Sequence, residues 1–200
     1  MIHRICFFAL TFVLSACVSV LPEQQTPEAL YRVSPPAMSV SLTENVMVRE
    51  PDAPRLFAGR AIATEDSDGA LRLLPGAEWA DRSTRLMQTA LIDTFGASDT
   101  GTAMAADGSA TARHELDWRI VDLHLRRTEA VCQVVVSLYD RDARVIVGRA
   151  TLSATVPAAT GRNGARVGAL REAATDCVAQ TARFVADTQV ASTPMADLRD

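Results

Sequence analysis

The chain has 200 residues, of which 48% are hydrophobic, 22% charged and 5% aromatic, a composition typical of a globular protein that excludes disorder throughout. The net charge of −4 argues against nucleic acid as a partner, because a protein that binds the phosphate backbone needs a basic surplus. No stretch approaches the roughly 18 apolar residues of a transmembrane helix.

The first 17 residues have the pattern of a bacterial lipoprotein signal peptide. A weakly basic start at His3 and Arg4 precedes an apolar stretch that leads into Leu14-Ser15-Ala16-Cys17. Small residues before the cleavage point are typical of secretory signals, and a cysteine directly after them is the acceptor of diacylglycerol in lipoproteins. We predict a signal peptide over residues 1–16 and lipidation of Cys17. An ordinary secretory signal that contains a cysteine is the alternative.

Residues 17–28 are predicted to tether a folded domain to a membrane. Pro22 and Pro27 stand here among Glu and Gln residues, a composition that favours extended or irregular backbone. Acyl chains on Cys17, palmitate among them, would hold the protein on a bilayer, since each buried methylene contributes about 0.8 kcal/mol. Val18 occupies the position at which aspartate signals inner-membrane retention. We therefore expect the periplasmic face of the outer membrane, with the inner membrane as the alternative.

The first part of the mature domain is predicted to contain short strands and one helix. Period-two hydrophobic patterns indicate four strands, at 29–33, 39–48, 57–63 and 70–74. The turn sequence Asp66-Ser67-Asp68-Gly69 predicts a hairpin between the last two of them. An apolar stripe at helical spacing predicts a helix over about 81–95, which a loop over 97–112 follows.

Three strands and a long helix are predicted for the rest of the domain. Alternation continues from Leu116 to Arg126, but the apolar phase flips at Ile120-Val121, which indicates a β-bulge or a change in the covered face. Further strands contain Cys132 to Leu138 and 149–156, and apolar residues at helical spacing predict a helix over about 166–188. Short connections favour antiparallel pairing of the three strands.

These elements together predict a single α+β domain over residues 29–190. Its sheet is expected to be mainly antiparallel, with two amphipathic helices packed on one face. Residues 191–200 are expected to form a flexible C-terminal tail.

The mature chain holds few residues suited to catalysis. It has two histidines, His114 and His124, and no recognised nucleophile, phosphate-loop or zinc motif. Asp122 and His124 share a strand face and could hold a metal or relay a proton, but Arg126 on the same face favours a solvated polar surface. We read the acidic residues at 65–68 as part of a turn. The sequence thus predicts no enzyme, no cofactor and no metal site.

Cys132 and Cys177 are the cysteines that remain beside Cys6 of the signal and Cys17. Both fall on the predicted core faces of elements that pack together, in a compartment where disulfides persist. The pattern favours a disulfide between them. Two small buried hydrophobic residues are the alternative, since free cysteine packs well in cores.

The whole arrangement resembles the ABC-type transport auxiliary lipoproteins. Its most distinctive stretches are Trp79-Ala80-Asp81, which leads into a helix, and Arg85-Leu86-Met87-Gln88 within that helix. The other shared features are the lipobox, Tyr-x-Val-x-Pro at 31–35, the hairpin, the long loop, the three strands and the final Ala-rich helix. Family members typically carry a tyrosine-rich segment before the tryptophan, where this chain has residues 73–78.

The resemblance implies a non-catalytic accessory of an envelope lipid transport system. Its implied partners are the membrane, through lipidated Cys17, an MCE-domain protein that crosses the periplasm, and an ABC permease and ATPase in the inner membrane. Trp79, where a loop enters a helix, is either a core anchor or part of a partner-binding surface. A lipoprotein that assists envelope assembly or activates a cell-wall synthase is the alternative function.

Overall fold

The computed structural model describes residues 27–96, 100–106 and 111–192. Its elements in chain order are β1 (Ala29–Tyr31), β2 (Val46–Val48), α1 (Arg55–Ala58), β3 (Ala61–Glu65), β4 (Leu71–Trp79), α2 (Ser83–Thr94), β5 (Ala103–Ala105), β6 (His114–Leu125), β7 (Glu129–Asp140), β8 (Val145–Pro157) and α3 (Asn163–Ser192).

The long strand β6 organises a mixed sheet of eight strands. Along one edge β6 pairs antiparallel with β7, which in turn pairs antiparallel with β8. The other edge is divided, because β2 runs parallel to the first residues of β6 and β3 runs parallel to the last. Beyond β2 lies β5, and beyond β3 lie β4 and β1. The sheet therefore forks beside β6, with one arm at each end of that strand.

The predicted fold class, mainly antiparallel with two helices on one face, is wrong. In the described part of the chain four of the seven strand pairings are parallel, and a third helix, α1, stands where the sequence suggested the start of a strand. Turn sequences reveal only pairings between consecutive strands. The three-residue strands β1, β2 and β5 instead join partners that are distant in sequence.

Two local predictions are confirmed. The 66–69 stretch forms the hairpin turn between β3 and β4, where the Asp66 N–H donates to the Ala70 carbonyl at 2.9 Å and Gly69 adopts φ +81°. This left-handed conformation suits glycine, which has no Cβ to clash. The phase flip in β6 corresponds to a register shift between Ile120 and Asp122 against β7, which is the expected β-bulge.

The core lies between the sheet and helices α2 and α3. On β7 the side chains of Val134 and Val136 are fully buried and lie on the face that α3 covers. The paired strand β8 places small residues beneath the helix, so that a Cβ at Gly148 would lie 2.8 Å from Cγ2 of Thr188. The outward side chains of β8, such as Thr151 and Ser153, are exposed. The sheet thus has one face covered by α3, and on β8 the opposite face is exposed.

Candidate functional site

Cys17 lies outside the described residues, so lipidation, the signal peptide and the tether stay predictions. Within the described ranges no helix has the length and apolar character needed to cross a bilayer. Pro27, where the description begins, follows Cys17 by ten positions. A chain of ten residues spans at most about 36 Å. A lipid on Cys17 would therefore keep this end of the domain close to a membrane.

The two cysteines of the mature domain meet inside the core. Cys132 on β7 and Cys177 on α3 are both fully buried, and both are free thiols in the structure. Burial raises the pKa of the Cys132 thiol well above its ordinary value, and a hydrogen bond with Cys177 raises it further. A protonated, buried thiol reacts poorly with oxidants. The shared core position is as the sequence indicated, and the disulfide itself stays a prediction.

Trp79 is part of the core and joins three segments of backbone. Trp79 is 1% exposed. Its backbone N–H donates to the Arg60 carbonyl at 2.7 Å, and the backbone N–H of the next residue, Ala80, donates to the Tyr31 carbonyl at 2.7 Å. The Arg60 side chain returns a bond from Nε to the Trp79 carbonyl at 3.2 Å. Any part that Trp79 takes in partner binding would therefore act through the surface residues it supports.

His124 is buried, which corrects the expectation of a solvated polar face. Its side chain is 3% exposed, and the Phe57 ring of α1 stacks on it with centroids 5.9 Å apart. The sequence suggested a strand at Phe57, so this cover was not foreseen. Glu65 Oε2 lies 3.2 Å from His124 Nε2 and accepts a bond from Arg126 Nε at 3.2 Å.

The acidic residues around this histidine differ in their distance from it. Asp122 Oδ1 lies 3.8 Å from Nδ1 of His124, too far for a hydrogen bond, and that nitrogen has no bonding partner within the described part of the chain. No group of three or more His, Cys, Asp or Glu in the described ranges is arranged to hold a metal ion. Glu65 instead joins β3 to the end of β6 through an ion pair with Arg126.

A second buried histidine sits at the opposite end of β6, under the last turns of α3. His114 is 2% exposed, and its Nδ1 lies 3.4 Å from Nε2 of Gln189. The amide of Gln189 donates to the Glu44 carbonyl at 3.0 Å and accepts from the Thr43 N–H at 3.0 Å. Burial lowers the pKa of His114 below its ordinary 6.5, an effect that exceeds the opposing charge of Asp140. These contacts fasten α3 to the segment before β2.

The described surface carries an exposed apolar patch on β1 and β4. Leu30 is 54% exposed, Leu71 44% and Leu73 56%; we call these three residues the leucine patch. Beside them a groove of about 680 Å³ is lined by Leu73, Pro27 and Gly76, among others.

A bulge in β4 explains why the leucines point outward. Before Gly76 the odd-numbered residues Leu71 and Leu73 are exposed, whereas after it the odd-numbered Ala77 and Trp79 are buried. Between the pairs Ala61–Glu78 and Ala63–Leu73, β4 has three residues more than β3, and an odd number of extra residues exchanges the two faces. Gly76 adopts φ +73° at this point, and a Cβ there would lie 3.2 Å from the Glu28 side chain.

Strand register places all three leucines on the same face of the sheet. Leu30 pairs with Glu78, and Ala61 and Ala63 of β3 pair with Glu78 and Leu73 respectively. Ala63 also pairs with His124, on the face opposite Cys132 and α3. The sequence predicted this strand but not the exposure. Its signal was the run Leu71-Arg72-Leu73-Leu74, which has leucines in both phases of the alternation.

Comparisons with known proteins agree with this architecture. A family model described as the ABC-type transport auxiliary lipoprotein component matches residues 29–186. The crystal structure of a Xanthomonas campestris protein of family DUF330 is 18% identical, with a TM-score of 0.67 over 84% of this chain and 99% of that one. A second crystal structure, of an uncharacterized protein, is 12% identical, with a TM-score of 0.61 over 79% and 98% of the two chains. A search of curated proteins returned no match.

Proposed function

Because this chain belongs to the family of ABC-type transport auxiliary lipoprotein components, we propose that it is a non-catalytic, lipid-anchored accessory of an MCE-linked envelope lipid transport system. In this role Cys17 carries the lipid, residues 17–28 form the tether, and the domain over 29–190 presents a docking surface. Val18 after the anchor supports the periplasmic face of the outer membrane as its location.

The observation that carries the proposal is the extent of the family match. It runs from the first residue of β1 into α3, to residue 186, and so includes both arms of the forked sheet and the helix that covers it. The polar clusters that could have served chemistry, around His124 and His114, make contacts that join elements of this fold. Their geometry supports a stable scaffold more than a reaction centre.

A tethered scaffold acts by raising the local concentration of the groups it brings together. The ten positions from Cys17 to Pro27 limit the separation from the membrane to about 36 Å, and short flexible linkers give effective concentrations in the millimolar range. A partner that docks on the domain is thereby held at the membrane without any new chemistry. The proposed partners are the MCE-domain protein and, through it, the ABC permease and ATPase.

The anchor is tested by metabolic labelling with a fatty acid in cells that express the full chain. Wild-type protein should incorporate the label and float with membranes, whereas Cys17→Ala should do neither, because it lacks the acceptor thiol. Cys132→Ala is the matched control, since it also removes one cysteine but should keep label and flotation. Label that persists in Cys17→Ala would contradict the proposed anchor.

The docking role is tested by isolating the lipidated protein from membranes with its cross-linked neighbours. The MCE-domain protein and the ABC permease should be recovered with wild-type protein and depleted with Cys17→Ala. Recovery of a cell-wall synthase in their place would contradict the transport role and favour the alternative of an envelope-assembly lipoprotein.

A further inference from the structure

The leucine patch exposes apolar surface at one end of the molecule. Leu30, Leu71 and Leu73 come from two paired strands and face the same side. In the described residues the other exposed large apolar side chains, Val145, Ile146 and Val190, lie elsewhere. Val145 pairs with Asp140, which also pairs with His114 at the start of β6. The patch adjoins β3, which pairs with the end of β6.

Most of β6 therefore separates the leucine patch from Ile146. Leu73 aligns through Ala63 with His124, and Ile146 aligns through Tyr139 with Glu115. Nine residues of strand extend over about 30 Å. Contiguous exposed apolar side chains commonly mark a site of interaction with a protein or a membrane. Ile146 is thus a suitable control for Leu73, because it is distant from the leucine patch and similarly exposed, 47% against 56%.

The chain enters the domain beside this patch. Pro27 and Leu73 line the same groove, and Cys17 precedes Pro27 by ten positions. A lipid on Cys17 therefore holds the groove no more than about 36 Å from the bilayer. The connecting chain reaches the groove directly and does not have to wrap around the domain.

We propose that the leucine patch rests on the surface of the bilayer that holds Cys17. This inference rests on the lipid anchor in the proposed function and adds an orientation to it. The occupant is the lipid surface because the patch is apolar and the tether leaves the domain at its rim. Glu78 in the groove is paired with Arg60 at 3.2 Å, which offsets its charge at the interface. In this orientation the domain stands on the patch end of the sheet, and the hairpin end at Val145, about 30 Å away along β6, stays in water.

Depth-dependent fluorescence quenching tests the orientation. The full lipidated protein carries a single environment-sensitive fluorophore on Leu73→Cys or, as the control, on Ile146→Cys, since buried Cys132 and Cys177 are not accessible to the reagent. Each protein is reconstituted into phosphatidylcholine vesicles that contain a spin-labelled lipid. The label at 73 should be quenched by the lipid and shielded from aqueous iodide. The label at 146 should show the reverse, and Leu30→Cys should repeat the result for 73 from a second strand.

Each other outcome overturns the inference in a distinct way. Protein that floats with the vesicles but shows equal lipid quenching at 73 and 146 keeps the anchor and rejects the orientation. Shielding of 73 from iodide without lipid quenching shows that protein, such as a second copy of this chain, covers the patch instead. Protein that fails to float rejects the anchor and this inference with it.

The double variant Leu71→Ser/Leu73→Ser should still float with vesicles and keep its circular dichroism spectrum. A fluorophore attached at Leu30→Cys in this variant should lose its quenching by the spin-labelled lipid.

Discussion

Oxidation of Cys132 and Cys177 to a disulfide is expected to raise the free energy of unfolding by about 2 to 4 kcal/mol. The two residues are 45 positions apart, and closing a loop of that length in the unfolded chain gives about 4 kcal/mol at 25 °C in the chain-entropy model. Strain in the folded state reduces this value. For a protein of this size the melting temperature should rise by about 5 to 15 °C.

Burial determines how this bond can form. Both sulfurs are inaccessible, and burial raises the pKa of the Cys132 thiol, so the reactive thiolate is scarce in the folded protein. Folded, reduced protein should therefore resist oxidised glutathione. Protein exported to an oxidising compartment should acquire the bond while it folds.

The assay is alkylation of exported protein under denaturing, non-reducing conditions, followed by mass spectrometry and by thermal melts with and without reductant. Cys177→Ala is the control, because its melting temperature should not respond to reductant. Two alkylated cysteines in the exported wild-type protein, with a melt insensitive to reductant, would refute the reasoning. The pair would then be two buried thiols in a hydrogen bond.

Gly148→Ala should lower the free energy of unfolding by about 1 to 3 kcal/mol, because the new Cβ would lie 2.8 Å from the Thr188 side chain of α3. Gly168→Ala, with open space around it in the helix, should raise the free energy of unfolding by about 0.5 to 1 kcal/mol. Equal effects of the two substitutions in urea unfolding would contradict this packing. His124→Ala should cost about 1 to 3 kcal/mol through the loss of a buried ring, while Asp122→Ala should change stability by no more than about 0.5 kcal/mol. Because the pKa of His114 is lowered in the folded protein, the unfolded chain takes up a proton at this residue at a higher pH than the folded protein does. His114 therefore leaves the free energy of unfolding unchanged well above pH 6.5 and lowers it as the pH falls below that value. His114→Gln should therefore weaken the acid dependence of the unfolding midpoint, and an unchanged dependence would contradict the assignment.

Features set by neighbouring residues were predictable from the sequence. The turn that ends in Gly69 and the bulge after Ile120 each depend on a few adjacent side chains, and both are present. The alternation of Cys132 with Val134 and the helical stripe that contains Cys177 also identified the two surfaces that meet in the core. Local propensity and hydrophobic period contain this information.

Features set by distant contacts were not predictable in this way. β2 lies against β6 because Val46 pairs with His114, and no turn sequence connects the two. Phe57 was expected in a strand, but it lies in a one-turn helix and covers His124. The exposure of Leu71 and Leu73 depends on the bulge at Gly76, which follows a proline within β4. Tertiary packing, more than local preference, decides each of these cases.

The most direct test of the proposed role is cross-linking of the lipidated protein in intact membranes, with identification of its neighbours by mass spectrometry. The account predicts an MCE-domain protein and an ABC permease cross-linked to wild-type protein, and their depletion when Cys17→Ala removes the anchor. Wild-type protein that floats with membranes and carries its lipid, yet cross-links to no component of an ABC transport system, would contradict it.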